Sequence, residues 1–330
     1  LKEEIPKLCT LVTASAFDAA IHDGFGKVHR VNCYHTYNQQ FMNYDLSRYL
    51  GWQYKGDYPD KYVLEEPRPR MPVYHLISAV DPIDSADIRD PIDDGLPQTL
   101  PEWIRYNGLT HFKIKLNGND RPWDVERVVT IDKVASEAQR ARGVDNWVYS
   151  LDFNEKCPDI GYLIEVLEDI SKKAPDGYRR IQYVEQPTAR DLRAHPEHVV
   201  TKAAKLKPVV IDESLTGVEE LTLARTMGYT GTALKTCKGQ SHMMIIASAA
   251  AKQNMFLCVQ DLTCPGASLI QSASLAAHVP GAAAIEANAR QYVPAGNKGW
   301  EDRFPGIFYI TDGTMDTSGL NEPGLGAVES

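Results

Sequence analysis

Apolar segments of seven to nine residues recur along the chain from residue 72, and each is followed by a stretch that reads as a helix. Their starts lie roughly 22–38 residues apart, about what one strand and its crossover helix require. In 160–170 the apolar residues fall at three- and four-residue steps, which is typical of a buried helix face; 218–227 and 242–252 give weaker versions. The predicted strands are 72–80, 110–116, 147–153, 180–187, 208–214, 231–237, 255–261 and 282–288.

Eight strands that alternate with helices predict an α/β protein of the (β/α)8-barrel type. A doubly wound open sheet is the alternative, but it usually has fewer strands and often carries a glycine-rich turn after the first. Neither GxGxxG nor GxxxxGK[ST] occurs in this chain. The barrel is therefore the preferred interpretation.

The two ends of the chain do not follow the strand–helix rhythm. We predict an amphipathic helix over 10–27 that ends near Gly24 or Gly26, then long irregular connections over 30–70. The tail, 305–330, reads as short strands and turns. Five tyrosines in the irregular region either cover the barrel mouth or simply pack, and both readings stay open: Tyr34, Tyr37, Tyr44, Tyr54 and Tyr58.

The bulk composition narrows the classes of partner. A net charge of −9 over 330 residues argues against a nucleic-acid partner, which would favour a basic face. No apolar run approaches the ~18 residues of a membrane span, so no membrane partner is expected. Six cysteines without CxxC pairs are typical of reduced thiols. We therefore expect a cytoplasmic protein that acts on a small molecule.

Acidic residues end three successive predicted strands. Asp152, Glu185 and Asp212 are separated by 33 and 27 residues, one strand–helix unit each. In a barrel they converge on one point, where carboxylates repel one another unless a cation lies between them. Mg²⁺ is the natural occupant, at ~2.0–2.1 Å from each oxygen. Each carboxylate could instead cap its following helix, but three in register favour a metal site.

Two lysines lie one residue apart in "HFKIKLNG" (111–118). Lys113 and Lys115 share one face of a strand at ~6.6 Å, where their repulsion is about 2.5 kcal/mol at an effective dielectric near 20. We therefore expect a lysine that is partly neutral near pH 7 and able to act as a general base. Lys235, four strands further on, faces Lys115 across the barrel. The alternative is a solvated strand end that the carboxylates neutralise.

An ordered set of motifs carries a family resemblance that covers residues ~10–330. The chain resembles the enolase superfamily, and within it the mandelate racemase/muconate-lactonizing-enzyme group. "FDAAIHDGFGK" resembles the family's helix ahead of the barrel, and "ITDGTMDTSGLNEPGLG" (310–326) its C-terminal segment. The barrel motifs are "KIK" (113–115), "LDFN" (151–154), "VEQP" (184–187), "IDES" (211–214) and "ALKTCKG" (233–239).

The resemblance implies a modified TIM barrel, (β/α)7β, with an α+β capping domain. Because almost none of the family's capping sheet and closing loops precedes residue 10, we expect that domain to be incomplete and the site to be open. Residues 1–71 then form a remnant of the capping region with connecting helix and loops. Residues 72–304 form the barrel, and 305–330 return to the capping domain. By family analogy the chain is expected to form a homo-oligomer.

The resemblance also implies a reaction. Asp152, Glu185 and Asp212 hold Mg²⁺, with Mn²⁺ as a substitute, and a proton α to the carboxylate of a small acid is removed. The product is a metal-stabilised enediolate, which leads to racemisation, epimerisation, cycloisomerisation or dehydration. Lys115 is then the base on one face of the substrate and Lys235 the acid/base on the other.

Further groups are expected to support or contact the reacting centre. Lys113 is expected to tune Lys115 and to bind the substrate carboxylate. The seventh strand carries no histidine, so the Asp–His dyad of the mandelate-racemase group is not expected, and "IEANARQY" lacks the DxD of dipeptide epimerases. The remaining residues of the expected site are Asn154, Glu213, Lys238, Asp261 and Glu286.

Two other functions fit the same residues less fully. A class I aldolase-like barrel lyase would use Lys113, Lys115 or Lys235 to form a Schiff base, but it leaves the three carboxylates idle. A catalytically inactive barrel would hold a purely structural metal.

Overall fold

Eight parallel strands close into a barrel in the computed structural model, which describes residues 5–326. Strand β1 pairs with both β2 and β8, and this closes the ring. The ends of the predicted first and last regions, 1–4 and 327–330, lie outside the described residues. The strands are β1 (Arg70–Ile77), β2 (His111–Lys115), β3 (Val148–Asp152), β4 (Ile181–Glu185), β5 (Val209–Ile211), β6 (Gly231–Leu234), β7 (Phe256–Val259), β8 (Ala282–Glu286) and β9 (Thr314–Asp316), the last antiparallel to β1.

The helices surround the barrel and fill the connections. Within the described residues, none of them combines the length and apolarity needed to cross a bilayer. The helices are α1 (Lys7–His29), α2 (Ser47–Leu50), α3 (Leu100–Asn107), α4 (Arg121–Ala141), α5 (Ile160–Lys173), α6 (Pro175–Arg180), α7 (Thr201–Ala204), α8 (Val218–Thr226), α9 (Gln240–Lys252), α10 (Ala267–His278), α11 (Ala289–Tyr292) and α12 (Pro305–Phe308).

The predicted barrel is confirmed. Seven of the eight predicted strands contain an observed strand, and the first, 72–80, overlaps β1, which begins two residues earlier. Several observed strands are shorter than predicted. The segment 208–214 forms a strand only over Val209–Ile211, and 231–237 only over Gly231–Leu234. After β5 the backbone N–H of Asp212 donates to a side chain, Gln186 Oε1, at 3.1 Å, and after β6 that of Lys235 donates to Met243 Sδ at 3.1 Å, so neither continues the ladder. The polar residues of interest therefore lie just past the strand ends.

Two apolar cores support the site. The larger lies between the strands and the helices. The smaller fills the barrel interior, where full burial of a large apolar side chain contributes about 1.5–3 kcal/mol. Its aromatic members place a packed floor beneath the barrel mouth, and it consists of Tyr74, Tyr183, Val210, Ala233, Cys258 and Ala284.

Helix α1 is longer than the sequence indicates. It runs to His29, and Arg30 ends it in the left-handed conformation (φ 57°). Gly26 lies inside the helix. A side chain cannot be accommodated there, because a Cβ would meet Gly324 Cα at 2.7 Å. The glycine therefore permits close packing against the C-terminal tail and is not a helix stop. The helix does not show the predicted amphipathic pattern, since its apolar residues Phe17, Ile21 and Val28 are exposed.

The region 30–70 is irregular, as predicted, with only short helical turns. Tyr34, Tyr37 and Tyr54 are buried, whereas Tyr44 is exposed. Gln240 Nε2 on α9 donates to the hydroxyls of Tyr34 and Tyr37 at 3.2 and 3.1 Å. For the buried tyrosines the structure therefore shows packing against the barrel helices.

His278 at the end of α10 makes the protein sensitive to acid. Its Nδ1 donates to the Ser274 carbonyl at 2.8 Å, its ring stacks on Tyr34, and burial lowers its pKa to about 4. The unfolded chain, with a pKa near 6.5, therefore takes up the proton first as pH falls. Stability is lost from about pH 6.5 downwards, by about 3 kcal/mol for this group.

We expect a His278→Gln variant to have a shallower pH dependence of stability. The free energy of unfolding should fall by about 1.4 kcal/mol less per pH unit near pH 5 than in wild type. Urea unfolding at pH 7.5, 6 and 5 measures this slope, and His29→Gln, at an exposed position, is the control. Equal slopes for His278→Gln and wild type would contradict the assignment.

Candidate active site

The carboxyl ends of β2 to β6 bring the predicted residues to one place. Lys115 pairs with Asp152 in the β2–β3 ladder, and Asp152 pairs with Glu185 in the β3–β4 ladder. Asp212 follows β5 and Lys235 follows β6. All five are buried except Lys115, whose side chain is 23% exposed. The mouth is thus a compact acid–amine layer above the aromatic floor.

Lys113 lies at the centre of this layer. Its Nζ is 3.0 Å from Asp152 Oδ2, 2.8 Å from Glu185 Oε1 and 2.5 Å from Glu286 Oε1. Burial opposes its charge, but attraction by these carboxylates outweighs burial and raises its pKa well above the usual value. Lys113 is therefore a fixed cation. From repulsion within the lysine pair we predicted a lysine with a lowered pKa, and Lys113 is not that lysine. The carboxylates do neutralise Lys113, but it is buried and not solvated.

Asp152 joins Lys113 to the outer lysine. Its Oδ2 also accepts a hydrogen bond from Lys115 Nζ, and its Oδ1 accepts from the backbone N–H of Asn154 at 2.9 Å. Burial alone would raise the pKa of Asp152, but Lys113 and Lys115 hold it well below the usual range. The Asn154 side chain donates to Glu213 at 3.4 Å, so the "LDFN" segment connects the first carboxylate with the residue that follows Asp212.

Asp212 binds two lysines on the other side of the mouth. Lys235 Nζ is 2.7 Å from Oδ2, and Lys238 Nζ is 3.3 Å from Oδ1 and 2.7 Å from the backbone carbonyl. For Lys235 burial opposes charge, but the attraction of Asp212 raises the pKa above its usual value. For Lys238 burial dominates and lowers the pKa.

The layer contains more acid than base. Burial, with neighbouring carboxylates, raises the pKa of Glu213 and of Asp261 to about 7 and that of Glu185 well above its usual value. Glu213 Oε2 and Asp261 Oδ1 are buried without a hydrogen-bond partner. The layer holds six carboxyl groups and four amines, and the ion pairs involve four of the six acids. The acids are Asp152, Glu185, Asp212, Glu213, Asp261 and Glu286, and the amines are those of Lys113, Lys115, Lys235 and Lys238.

This donor chemistry fits a hard divalent cation. When all six acids are ionised the layer has an excess of two negative charges, which one Mg²⁺ would balance. Carboxylate oxygens are also the ligands that Mg²⁺ prefers. Asp152, Glu185 and Asp212, on three adjacent strands, are the residues that would hold the ion.

Two glutamines complete the site and were not predicted from the sequence. Gln186 is buried at φ 28°, and its Oε1 accepts from the backbone N–H groups of Asp212 and Ser214 at 3.1 and 3.2 Å. Gln260 Nε2 donates to Glu185 Oε2. Gln260 lies two residues after the inward-facing Cys258, so strand alternation could have identified it. Gln186 follows the end of β4 in an unusual backbone conformation that alternation does not indicate.

Lys115 and Lys235 lie on opposite sides of the mouth. They come from β2 and from the end of β6, four strands apart in a ring of eight. Asp152, Glu185 and Asp212 occupy the three strands between them. A ligand held above the carboxylates is therefore approached by one amine from each side.

The fold and these contacts define a (β/α)-barrel protein with a lysine–carboxylate mouth whose donor groups fit a divalent cation. A model of the enolase C-terminal domain-like family matches residues 98–328. The chain belongs to this family and is of the mandelate racemase/muconate-lactonizing-enzyme type, as its motifs predicted.

Solved structures of three enzymes illustrate the similarity of the fold. The L-Ala-D/L-Glu epimerase of Bacillus subtilis, in a substrate-liganded complex, is 20% identical, with a TM-score of 0.66 over 96% of this chain and 72% of that chain. Muconate lactonizing enzyme of Klebsiella pneumoniae is 15% identical, with a TM-score of 0.61 over 93% of this chain and 69% of that chain. A racemase of Streptomyces coelicolor with bound magnesium is 18% identical, with a TM-score of 0.59 over 96% of this chain and 70% of that chain. No curated protein matches the chain.

Proposed function

We propose that this protein removes the proton α to the carboxylate of a small organic acid with the help of Mg²⁺. Racemisation, epimerisation, cycloisomerisation or dehydration would complete the reaction. One observation carries the proposal: two lysines on opposite sides of the barrel mouth flank three buried carboxylates on the intervening strands. Family membership and the magnesium-bound racemase of the same fold support it.

The chemistry requires both kinds of group. A proton beside a carboxylate is very weakly acidic, and a bound Mg²⁺ would stabilise the negative charge that develops on the carboxylate oxygens. Lys115 and Lys235 would take and return a proton on opposite faces of the α-carbon. Both amines are ion-paired, with Asp152 and Asp212 respectively. If Asp152 and Asp212 held a cation, their ion pairs with Lys115 and Lys235 would be weaker, and the amines would be freer to exchange a proton.

Lys113 holds the acidic groups in place. Its three carboxylate partners come from β3, β4 and β8, so one amine joins four strands when its own strand, β2, is counted. A Schiff-base enzyme would use one of the lysines but would leave the three carboxylates without a role, so the residues of the mouth give it less support.

Solvent exchange tests the proposal directly. The full chain with Mg²⁺ is incubated in D₂O with a panel of α-substituted carboxylic acids, and deuterium at the α-carbon is followed by NMR. We expect exchange with at least one acid, its loss on addition of EDTA, and its recovery with excess Mg²⁺. Absence of exchange across the panel counts against the proposal. Borohydride trapping of a carbonyl compound that EDTA does not affect would support the aldolase-like alternative instead.

A further inference from the structure

Two histidines and a glutamate meet on a short turn between β4 and α7. His195 Nδ1 lies 3.1 Å from Glu197 Oε1, and His198 Nε2 lies 3.7 Å from the same oxygen. One ligand atom from each residue lies within 4.8 Å of the other two. The turn is closed by the His198 N–H, which donates to the His195 carbonyl at 3.1 Å. Pro196, with its fixed φ, stiffens the turn. Three metal-binding side chains are thus gathered within four residues.

The separations suit direct coordination of one ion. Zinc binds imidazole nitrogen and carboxylate oxygen at about 2.0–2.1 Å in tetrahedral geometry, which places ligand atoms about 3.3 Å apart. The observed 3.1 and 3.7 Å lie on either side of this value. The two imidazole rings stack at 4.9 Å with an interplanar angle of 9°, which keeps both beside the carboxylate.

The surroundings leave this cluster accessible to a cation. The side chains of His195 and Glu197 are 40% and 63% exposed, and that of His198 is 10% exposed. Among residues 5–326, no lysine or arginine forms an ion pair with Glu197. The nearby Arg193 instead pairs with Glu219 and Glu220. The outer nitrogen of His198, Nε2, faces the carboxylate, and its inner nitrogen, Nδ1, is buried without a hydrogen-bond partner.

We propose that His195, Glu197 and His198 form a binding site for a borderline divalent cation, with Zn²⁺ as the representative ion. Two imidazoles and one carboxylate favour Zn²⁺, Co²⁺, Ni²⁺ or Cu²⁺ over Mg²⁺. Three protein ligands leave one tetrahedral position for water or an external ligand. The site does not depend on the function proposed for the barrel, since it shares no residue with the mouth. A bound ion would cross-link the turn that leads from β4 to α7.

Zinc binding in the presence of Mg²⁺ tests this site. The full chain is saturated with Mg²⁺, and bound zinc is measured by equilibrium dialysis and metal analysis. We expect Glu197→Gln and His195→Asn to lose one equivalent of zinc that wild type retains at the same free concentration. With Co²⁺ as the probe, the visible absorption of a tetrahedral site should be lost in the same variants and should be displaced by zinc in wild type.

Two controls separate this site from the rest of the molecule. His35→Asn removes a histidine that lies 4.0 Å from a single carboxylate, that of Glu66, and should keep the zinc. Asp212→Asn alters the barrel mouth and should also keep it. His198 is buried, so its replacement can perturb folding, and the two variants at exposed positions carry the test. Equal zinc content in wild type, Glu197→Gln and His195→Asn overturns the proposal. Zinc that is lost in Asp212→Asn but kept in Glu197→Gln also overturns it.

Discussion

Replacing Lys235 by alanine is expected to lower the rate of the complete reaction by about 10²–10⁴-fold, the usual contribution of a positioned general acid or base. Lys115 remains on the opposite side of the mouth, so exchange of the α-proton on its face should continue. For a substrate with two enantiomers, one enantiomer should still wash out its proton into solvent while interconversion stops. Lys115→Ala should show the opposite preference. Stereospecific deuterium incorporation, measured by NMR for each enantiomer, gives both results.

The control for these variants is Lys172→Ala, at an exposed lysine on α5 whose partner Asp169 is at 3.5 Å. It should react as wild type does. If Lys235→Ala and Lys115→Ala lose exchange on both faces equally, or on neither, the two lysines do not divide the proton transfers between them. Far-UV circular dichroism of each variant separates lost chemistry from lost folding.

A Lys113→Met variant is expected to be less stable than wild type by about 3–5 kcal/mol at pH 8. The substitution keeps much of the side-chain volume but leaves Asp152, Glu185 and Glu286 buried without their shared cation. The loss should be smaller at pH 5, because protonation of the freed carboxyl groups relieves their repulsion. Urea unfolding at both pH values, with and without Mg²⁺, measures the effect.

Magnesium should restore part of the lost stability in Lys113→Met, because a ligand that binds only the folded state stabilises it. The double variant Lys113→Met/Glu185→Gln removes one negative charge together with the amine and should recover stability at pH 8. An unfolding midpoint of Lys113→Met that matches wild type at pH 8 would show that the lysine does not hold these carboxylates together.

Hydrophobic periodicity was sufficient to predict the barrel, because each strand buries one face against the barrel interior and the other against the surrounding helices. This arrangement is the same for every strand of the ring. It also placed Lys115, Asp152 and Glu185 correctly at adjacent strand ends, since their register follows from strand order. The end of α1 was predicted wrongly, because Gly26 is required by contact with Gly324, almost 300 residues away in the chain. No local pattern contains that contact.

The electrostatic state of the site was harder to predict for a related reason. Considered as a pair, Lys113 and Lys115 should repel each other. In the folded chain Lys113 instead contacts carboxylates from three other strands, including Glu286 on β8. The sign of its pKa shift depends on that three-dimensional neighbourhood. The His195–Glu197–His198 turn, by contrast, is contiguous in sequence, but only the distances between its ligand atoms distinguish it from an ordinary exposed turn.

The amide of Gln186 has a mechanical consequence for the barrel mouth. Its side-chain oxygen accepts from two backbone N–H groups of the next strand's turn, while its own backbone N–H donates to the carbonyl of Val210 at 2.9 Å. Gln186, next to Glu185, is therefore joined by three hydrogen bonds to the segment that carries Asp212. We expect a displacement of the Glu185 carboxylate to be transmitted to that of Asp212, and the reverse. The spacing between these two carboxylates is then set by the backbone of both strands and resists distortion by a bound ligand.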